Sequence, residues 1–231
     1  MTNADGGLNA LDIVRMGLER RERIAAIWAD AFWADPLMNW LFADDNTRRA
    51  SLLRWWDFTL GHLPSGAELH GSRADGCVAY WQPPRRSLHG SSEPEEADAG
   101  ESEGRPDQVD HGESEGHRAF AAMMAELVGD EAPARMEMLG RIHQHRLPDP
   151  HWYLAVLGTT PDQQGRGLGG KVLAPMLERC DRTATVAYLE SSNPANIAFY
   201  RRHGFETTGE LVLDDTVLVT LMTRTPRPPQ S

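Results

Sequence analysis

The stretch HWYLAVLGTTPDQQGRGLGGKVLAPML, residues 151–177, constrains this chain more than any other. An apolar run ends and a six-residue connection, TTPDQQ, follows. Four glycines then fall within six positions, and an amphipathic helical pattern begins. Gly165, Gly167, Gly169 and Gly170 remove side chains where the backbone must turn and where a ligand could approach closely. Backbone N–H groups at the start of a helix, with the positive end of its dipole behind them, make an anion site. The sequence therefore predicts a strand, loop and helix that together hold a phosphate group.

Three motifs claim these glycines. Gly165-Arg166-Gly167-Leu168-Gly169-Gly170 matches the dinucleotide fingerprint G-x-G-x-x-G, with an acid, Glu190, at the end of the next apolar run. The same letters through Lys171 match the P-loop pattern G-x-x-x-x-G-K. A P-loop needs Ser or Thr after the lysine to hold magnesium, and here Val172 stands there. Both motifs also start directly off the strand, whereas residues 159–164 intervene here. A dinucleotide fold would continue in further βαβ units, and the chain after Glu190 has length for one helix and a terminal hairpin. The third motif is Q-x-x-G-x-G, written here as Gln164-Gly165-Arg166-Gly167-Leu168-Gly169 and preceded by a strand and an x-Pro turn.

That third pattern resembles the acyl-CoA pyrophosphate loop of the GNAT N-acetyltransferase superfamily. A second likeness lies in YLESSNPANIAFYRRHGFE, residues 188–206: a strand, an Asn, a short helix with Tyr, then Gly-Phe. The two motifs run in the family's order and spacing. The segments AFWADPLMNWLF (31–42) and VAYWQPP (78–84) are similar to one subgroup, the puromycin N-acetyltransferase-like proteins. The resemblance implies an α/β fold: one domain with a central mixed, mostly antiparallel sheet flanked by helices. It also implies acetyl-CoA as co-substrate and a small-molecule primary amine as acceptor, attacked directly in a ternary complex. Two rivals stand beside it: a non-catalytic acyl-CoA-binding sensor of the same fold, and a nicotinamide-dependent oxidoreductase using the G-x-G-x-x-G match.

A chain of 231 residues is expected to hold one domain with a substantial core. We divide it into a flexible N-terminus over 1–10, the acetyltransferase domain over 11–224, and a flexible tail over 225–231. The net charge of −11 is mostly local: residues 91–116 carry ten acids and one arginine. That segment holds too little apolar surface to offset ordering, so an acidic disordered insert is expected over 89–117. No basic patch remains to bind nucleic acid, and no apolar run is long enough to span a membrane. The polar N-terminus lacks a signal-peptide layout. Cys77 and Cys180 read as buried free thiols. A cytoplasmic protein, monomer or homodimer, is expected.

Periodicity predicts a strand near 11–16, a helix from Arg21 closed by Pro36, and a second helix over about 46–62. A hairpin follows with strands near 67–71 and 76–82 around an Asp-Gly turn. Helices are expected over 117–128 and 133–145, then the strand near 152–158 and the glycine-loop helix to about Arg179. A strand over 183–189 leads to Asn193-Pro194, an N-cap and first-turn proline. The helix they open runs to about His203, and Gly204 stops it. Two strands, 205–213 and 216–222, complete the chain.

By position, the resemblance places the pantetheine arm on the backbone of Leu157, Gly158 and Thr159, where the strand splays from its neighbour. It places the pyrophosphate on Gln164, Gly165, Arg166, Gly167, Leu168, Gly169 and Gly170, with Asn193 also contacting the cofactor. Gly158 is a poor strand former and fits a distorted edge. Tyr200 matches the family's tyrosine and is the candidate general acid, since a phenol with a pKa of about 10 is protonated at neutral pH. Glu190 is the candidate base, with His151 a second choice. Asp35 with Phe32, Trp33, Trp40 and Phe42 is a candidate amine pocket. His143 and His145, two apart on a helix, face different ways and suggest no metal site.

Overall fold

The computed structural model describes residues 13–73, 76–85 and 111–228. Among them is a seven-stranded sheet of order β1-β2-β3-β4-β5-β7-β6. Its strands are β1 (Ile13–Arg15), β2 (Glu68–Ser72), β3 (Cys77–Gln82), β4 (His151–Thr159), β5 (Val186–Ser191), β6 (Glu206–Leu213) and β7 (Val217–Arg224). Every neighbouring pair is antiparallel except β4 with β5. The sheet is thus mixed and mostly antiparallel, as expected from the sequence. A single parallel pair is too little for a doubly wound dinucleotide fold.

Helices cover both faces. On one lie α1 (Arg21–Ala31), α2 (Pro36–Leu41), α3 (Asp45–Gly61), α4 (His111–Val128) and α5 (Ala132–Gln144). Their core joins Ile24, Ile27 and Trp28 of α1 to Trp56 of α3, Ile142 of α5, and Tyr80, Tyr153 and Tyr188 of the sheet. The other face carries α6 (Leu168–Arg182) and α7 (Ile197–Arg202). There Leu168, Val172, Leu173, Met176 and Cys180 form the expected apolar stripe over Trp81, Leu154 and Leu189. Arg224, almost fully buried, forks onto the carboxylate of Asp181 at 2.7 Å through each of two nitrogens and so pins β7 to α6.

The acidic segment expected over 89–117 lies outside the described residues up to 110, and its last residues belong to the start of α4. The turn residues Ala74 and Asp75 of the expected hairpin, and the residues assigned to the N-terminus, also fall outside. Cys77 and Cys180 are free and buried.

Pro36 plays a different part from the one expected. It does not close α1, which ends at Ala31; it opens α2. Asp35 is the N-cap, its Oδ1 accepting from Leu37 N at 3.0 Å and Met38 N at 3.1 Å. A proline in the first turn leaves no donor stranded, because that N–H has no helical partner in any case. Ser192, just past β5, donates to both Asp35 oxygens at 2.9 and 2.7 Å, so the cap also ties α2 to the sheet.

Gly158 also has a different reason from the one expected. It pairs with Val78 inside regular β3–β4 register. A Cβ there would stand 2.7 Å from Trp28 Cδ1 and 3.1 Å from Ala31 Cβ. Trp28 is itself fixed, donating from Nε1 to Val78 O at 3.1 Å. The glycine therefore lets α1 lie directly on β4. Gly158→Ala is expected to lower stability by about 1–3 kcal/mol, the usual cost of overpacking. Urea unfolding checks this; an unchanged midpoint would show that Trp28 moves aside freely.

Burial raises the Asp35 carboxyl above its ordinary 3.8, against the Ser192 and backbone donors that oppose the shift. The folded state therefore holds the proton more tightly than the unfolded chain does. The stability this carboxyl contributes is complete below pH 3.8 and declines as pH rises through the raised folded value. Asn caps helices as well as Asp but does not titrate. The stability of Asp35→Asn relative to the parent is expected to grow from pH 4 to pH 7 in urea titrations. A flat or opposite trend would contradict the burial of a strained charge at this cap.

Candidate active site

β4 and β5 pair only from His151 with Val186 through Leu154 with Leu189. Beyond that both strands continue, but with other partners. β4 stays on β3 as far as Thr159 with Cys77, while Glu190 and Ser191 of β5 pair with Leu221 and Thr220 of β7. The register between β3 and β4 slips at the same level. Tyr80 faces Val156 and Trp81 faces Leu154, leaving Ala155 without an opposite residue. Such a bulge bends and twists its strand. The end of β4, including Leu157, Gly158 and Thr159, thus keeps one edge free of β5.

The glycine loop closes this opening. A 3-10 turn, Pro161–Gln163, leaves the strand, and Gln164 Nε2 donates back to Thr159 O at 3.1 Å. Gly165 and Gly167 both sit at φ +75°, and Gly167 caps α6. A side chain in that left-handed region costs about 1–2 kcal/mol. Gly165, Arg166 and Gly167 are exposed. Leu168 turns its side chain into the core, 3 % exposed, so only its backbone faces outward. Gly169 and Gly170 serve packing: a Cβ would stand 3.1 Å from Phe199 Cζ in the first case and 2.8 Å from His203 Cε1 in the second. The glycine cluster thus has two separate jobs, one toward the cleft and one toward α7.

The cleft has a volume of about 600 Å³. Leu157, Thr159, Gln164, Gly165, Gly167, Leu168 and Gly169 line it together with Asn193 and Tyr200. Asn193 caps the 3-10 turn Pro194–Asn196, its Oδ1 accepting from Ala195 N at 3.0 Å. Tyr200 projects from α7, 8 % exposed. Burial, reinforced by Asp35 and Cys77 nearby, pushes its phenol well above the ordinary 10. It is protonated at neutral pH and able to donate. Phe32 and Asp35 also line the cleft. Trp33, Trp40 and Phe42 do not join them: Phe42 is buried in the core, Trp33 lies beneath the Arg48 guanidinium, and Trp40 donates to Asp214 at 3.1 Å. Arg202, which the sequence reading did not single out, adds a positive charge to the rim.

Glu190 lies at the apex of the opening, one residue past the last β4–β5 pair, on the α5 side of the sheet rather than the α6 side. Its side chain is 8 % exposed. Oε2 accepts from the Tyr153 hydroxyl at 2.7 Å, and Oε1 stands 3.5 Å from Arg146 Nε. The Arg146 guanidinium stacks 3.9 Å over the Tyr153 ring. His151 is half-buried beside Tyr188. Its Nδ1–H donates to Asp149 O at 2.7 Å, and burial holds its pKa below the ordinary 6.5. His143 and His145 each bond a carbonyl four residues back on α5. Among the described residues no cluster of His, Cys, Asp or Glu has the arrangement of a metal site.

Residues 95–205 match the family described as Acetyltransferase (GNAT) family. Over 57 residues the chain is 37% identical to an uncharacterized N-acetyltransferase of Schizosaccharomyces pombe, covering 25% of this chain and 23% of that protein. Over 53 residues it is 42% identical to an L-methionine sulfoximine/L-methionine sulfone acetyltransferase of Pseudomonas aeruginosa, covering 22% and 31%. The chain thus matches less than a third of the length of these curated relatives. Among solved structures, one described as histone acetyltransferase HPA2 and related acetyltransferase, from Corynebacterium glutamicum, superposes with a TM-score of 0.64 at 16% identity, covering 95% of this chain and 98% of that one. Arylalkylamine N-acetyltransferase 2 of Aedes aegypti gives 0.53 at 13%, covering 93% and 98%. The sequence match runs through β4, the glycine loop and α7, so residues 95–205 are similar to the acetyltransferase domain of the GNAT family, and the two solved structures share the fold of nearly the whole chain.

Proposed function

We propose that the protein transfers the acetyl group of acetyl-CoA to the primary amine of a small molecule, by direct attack in a ternary complex. The observation that carries this reading is the cleft that the end of β4, the loop at the start of α6 and Tyr200 line together. An elongated ligand with a diphosphate at one end and an amide-rich arm at the other suits that arrangement. Backbone N–H groups of residues 165–170 would take the phosphates, with Arg166 and Arg202 adding charge. The backbone of Leu157, Gly158 and Thr159 would extend the sheet onto the arm, as an added strand does. Asn193 would bound the other side. Bound there, acetyl-CoA supplies the acetyl group as an activated thioester.

The residues of the chain then manage two protons. The acceptor nitrogen forms a bond to the carbonyl carbon as the carbon–sulfur bond breaks. Tyr200 donates its proton to the departing sulfur. Glu190 accepts the proton released by the nitrogen, through the oxygen that Tyr153 does not occupy. Asp35 is satisfied by its cap and by Ser192, so it serves as a wall of the cleft. The relatives from Pseudomonas aeruginosa and Aedes aegypti are named for amine acceptors of small size, which supports a small-molecule acceptor here. Two buried free thiols suit the reducing cytoplasm. We take residues 11–224 as the catalytic unit.

Tyr200→Phe tests this reading. The ring keeps its contacts with Phe199 and Phe205, and only the hydroxyl is lost. Turnover, followed as thiol release from acetyl-CoA, is expected to fall by about 10²–10⁴-fold. Calorimetric affinity for acetyl-CoA is expected to stay within about threefold of the parent, since acid–base groups act on the step rather than on binding. Equal turnover in the two forms would remove Tyr200 from the chemistry. Acetyl-CoA binding with no thiol release from any amine would favour a non-catalytic sensor.

A further inference from the structure

We propose that the acceptor is an α-amino acid or a close analogue, its amine held by Glu190 and its carboxylate by Arg146. This rests on the acyl-transfer reading and names the substrate class that the apex of the β4–β5 opening would select. Glu190 and Arg146 lie among Tyr153, Tyr188 and His151. Their nearest atoms, Glu190 Oε1 and Arg146 Nε, are 3.5 Å apart. That is close enough to pair electrostatically and too far for a good hydrogen bond, whose usual length is about 2.9 Å. Both atoms are buried without a well-formed hydrogen bond among the described residues, and so is the Tyr188 hydroxyl, although both Arg146 and Tyr188 lie near enough to Glu190 to interact with it weakly. Buried polar atoms are seldom left this way, and three in one place point to a ligand with matching groups.

The match is geometric. In an α-amino acid the nitrogen and the nearer carboxylate oxygen are about 3 Å apart, fixed by the bonds through the α-carbon. Set beside the pair, the nitrogen meets Glu190 Oε1 and the carboxylate meets Arg146. Stacking on Tyr153 holds the guanidinium plane, so its in-plane donors are aimed before the ligand arrives, and a planar fork suits a carboxylate better than a point charge. A simple amine would satisfy Glu190 and leave Arg146 with nothing in exchange for the ion pair it loosens. Arg146 is 16 % exposed, which leaves an approach from the α5 side. The thioester enters from the α6 side, and the two substrates meet through the gap between the strands. The nitrogen–carbon bond forms, the carbon–sulfur bond breaks, the amine proton passes to Glu190 and the sulfur takes the proton of Tyr200. The products are an N-acetyl amino acid and the free thiol.

The test pairs each of a panel of L-amino acids with the amine left on its decarboxylation, and measures thiol release from acetyl-CoA with the full chain. The best amino acid is expected to exceed its amine in kcat/KM by at least about tenfold, the usual scale of one charge-assisted pair. Arg146→Gln is expected to erase that preference chiefly through KM. The comparison in the parent protein stands even if this variant folds poorly. Calorimetry of the same acceptors with the CoA-loaded protein provides a readout independent of turnover. Amines that match or exceed their amino acids would overturn the inference and leave the transferase reading intact. Amino-acid binding that is lost in Arg146→Gln, without thiol release, would uphold the site and overturn the transfer. Neither binding nor turnover of any amino acid would overturn the inference.

Discussion

The arrangement of this molecule depends on one parting of strands. β4 and β5 run parallel for four paired positions and then part, each keeping only its other neighbour, β3 or β7. On one side, the bulge at Ala155 twists β4, and Gly158 lets α1 press onto its end. On the other, β7 keeps hold of β5 through Ser191, and Ser192 fastens the strand's exit to the cap of α2. Each strand is therefore held by neighbours of its own. A gap opens in the middle of a sheet whose other pairs stay closed, and the backbone groups along it have no strand to bond. Buried backbone groups left unpaired are costly, so such a gap is stable only where solvent or a ligand reaches it.

The gap also explains how the two candidate proton-transfer groups relate. Tyr200 belongs to the α6 layer and Glu190 to the α5 layer, with the sheet between them. Burial keeps Tyr200 protonated. Tyr153 donates to Glu190 Oε2, and Arg146 stands beside Oε1. An acid and a base on opposite faces of a sheet serve one reaction only if the reactants meet within the sheet, and the parting of β4 and β5 provides that place. Fold and proposed chemistry thus rest on the same distortion.

Much of this was legible in the sequence, for identifiable reasons. The strand–glycine–helix unit, the Asn193-Pro194 cap and the stripe on α6 are local patterns with local causes, and each lies where periodicity and capping rules put it. Asp35-Pro36 carries the same cap signature as Asn193-Pro194, yet it reads as a helix stop because a long apolar pattern precedes it; the proline opens α2 instead. Gly158 looked like a strand defect, and its reason is Trp28, some 130 residues earlier. Gly169 and Gly170 read as ligand contacts, and they also make room for Phe199 of α7 and for His203 just past it. Arg146 had no signal at all, since nothing in the loop around it announces a partner on β5. Contacts across layers were the part that local patterns do not encode.

Hydrogen–deuterium exchange with and without CoA tests the central claim most directly. If the free edge of β4 and the loop at the α6 N-terminus receive the ligand, amides within 155–159 and 164–170 slow on binding. Amides of β6, far along the sheet, keep their rates. Protection spread evenly over the sheet, or confined to residues outside these two segments, would contradict the account.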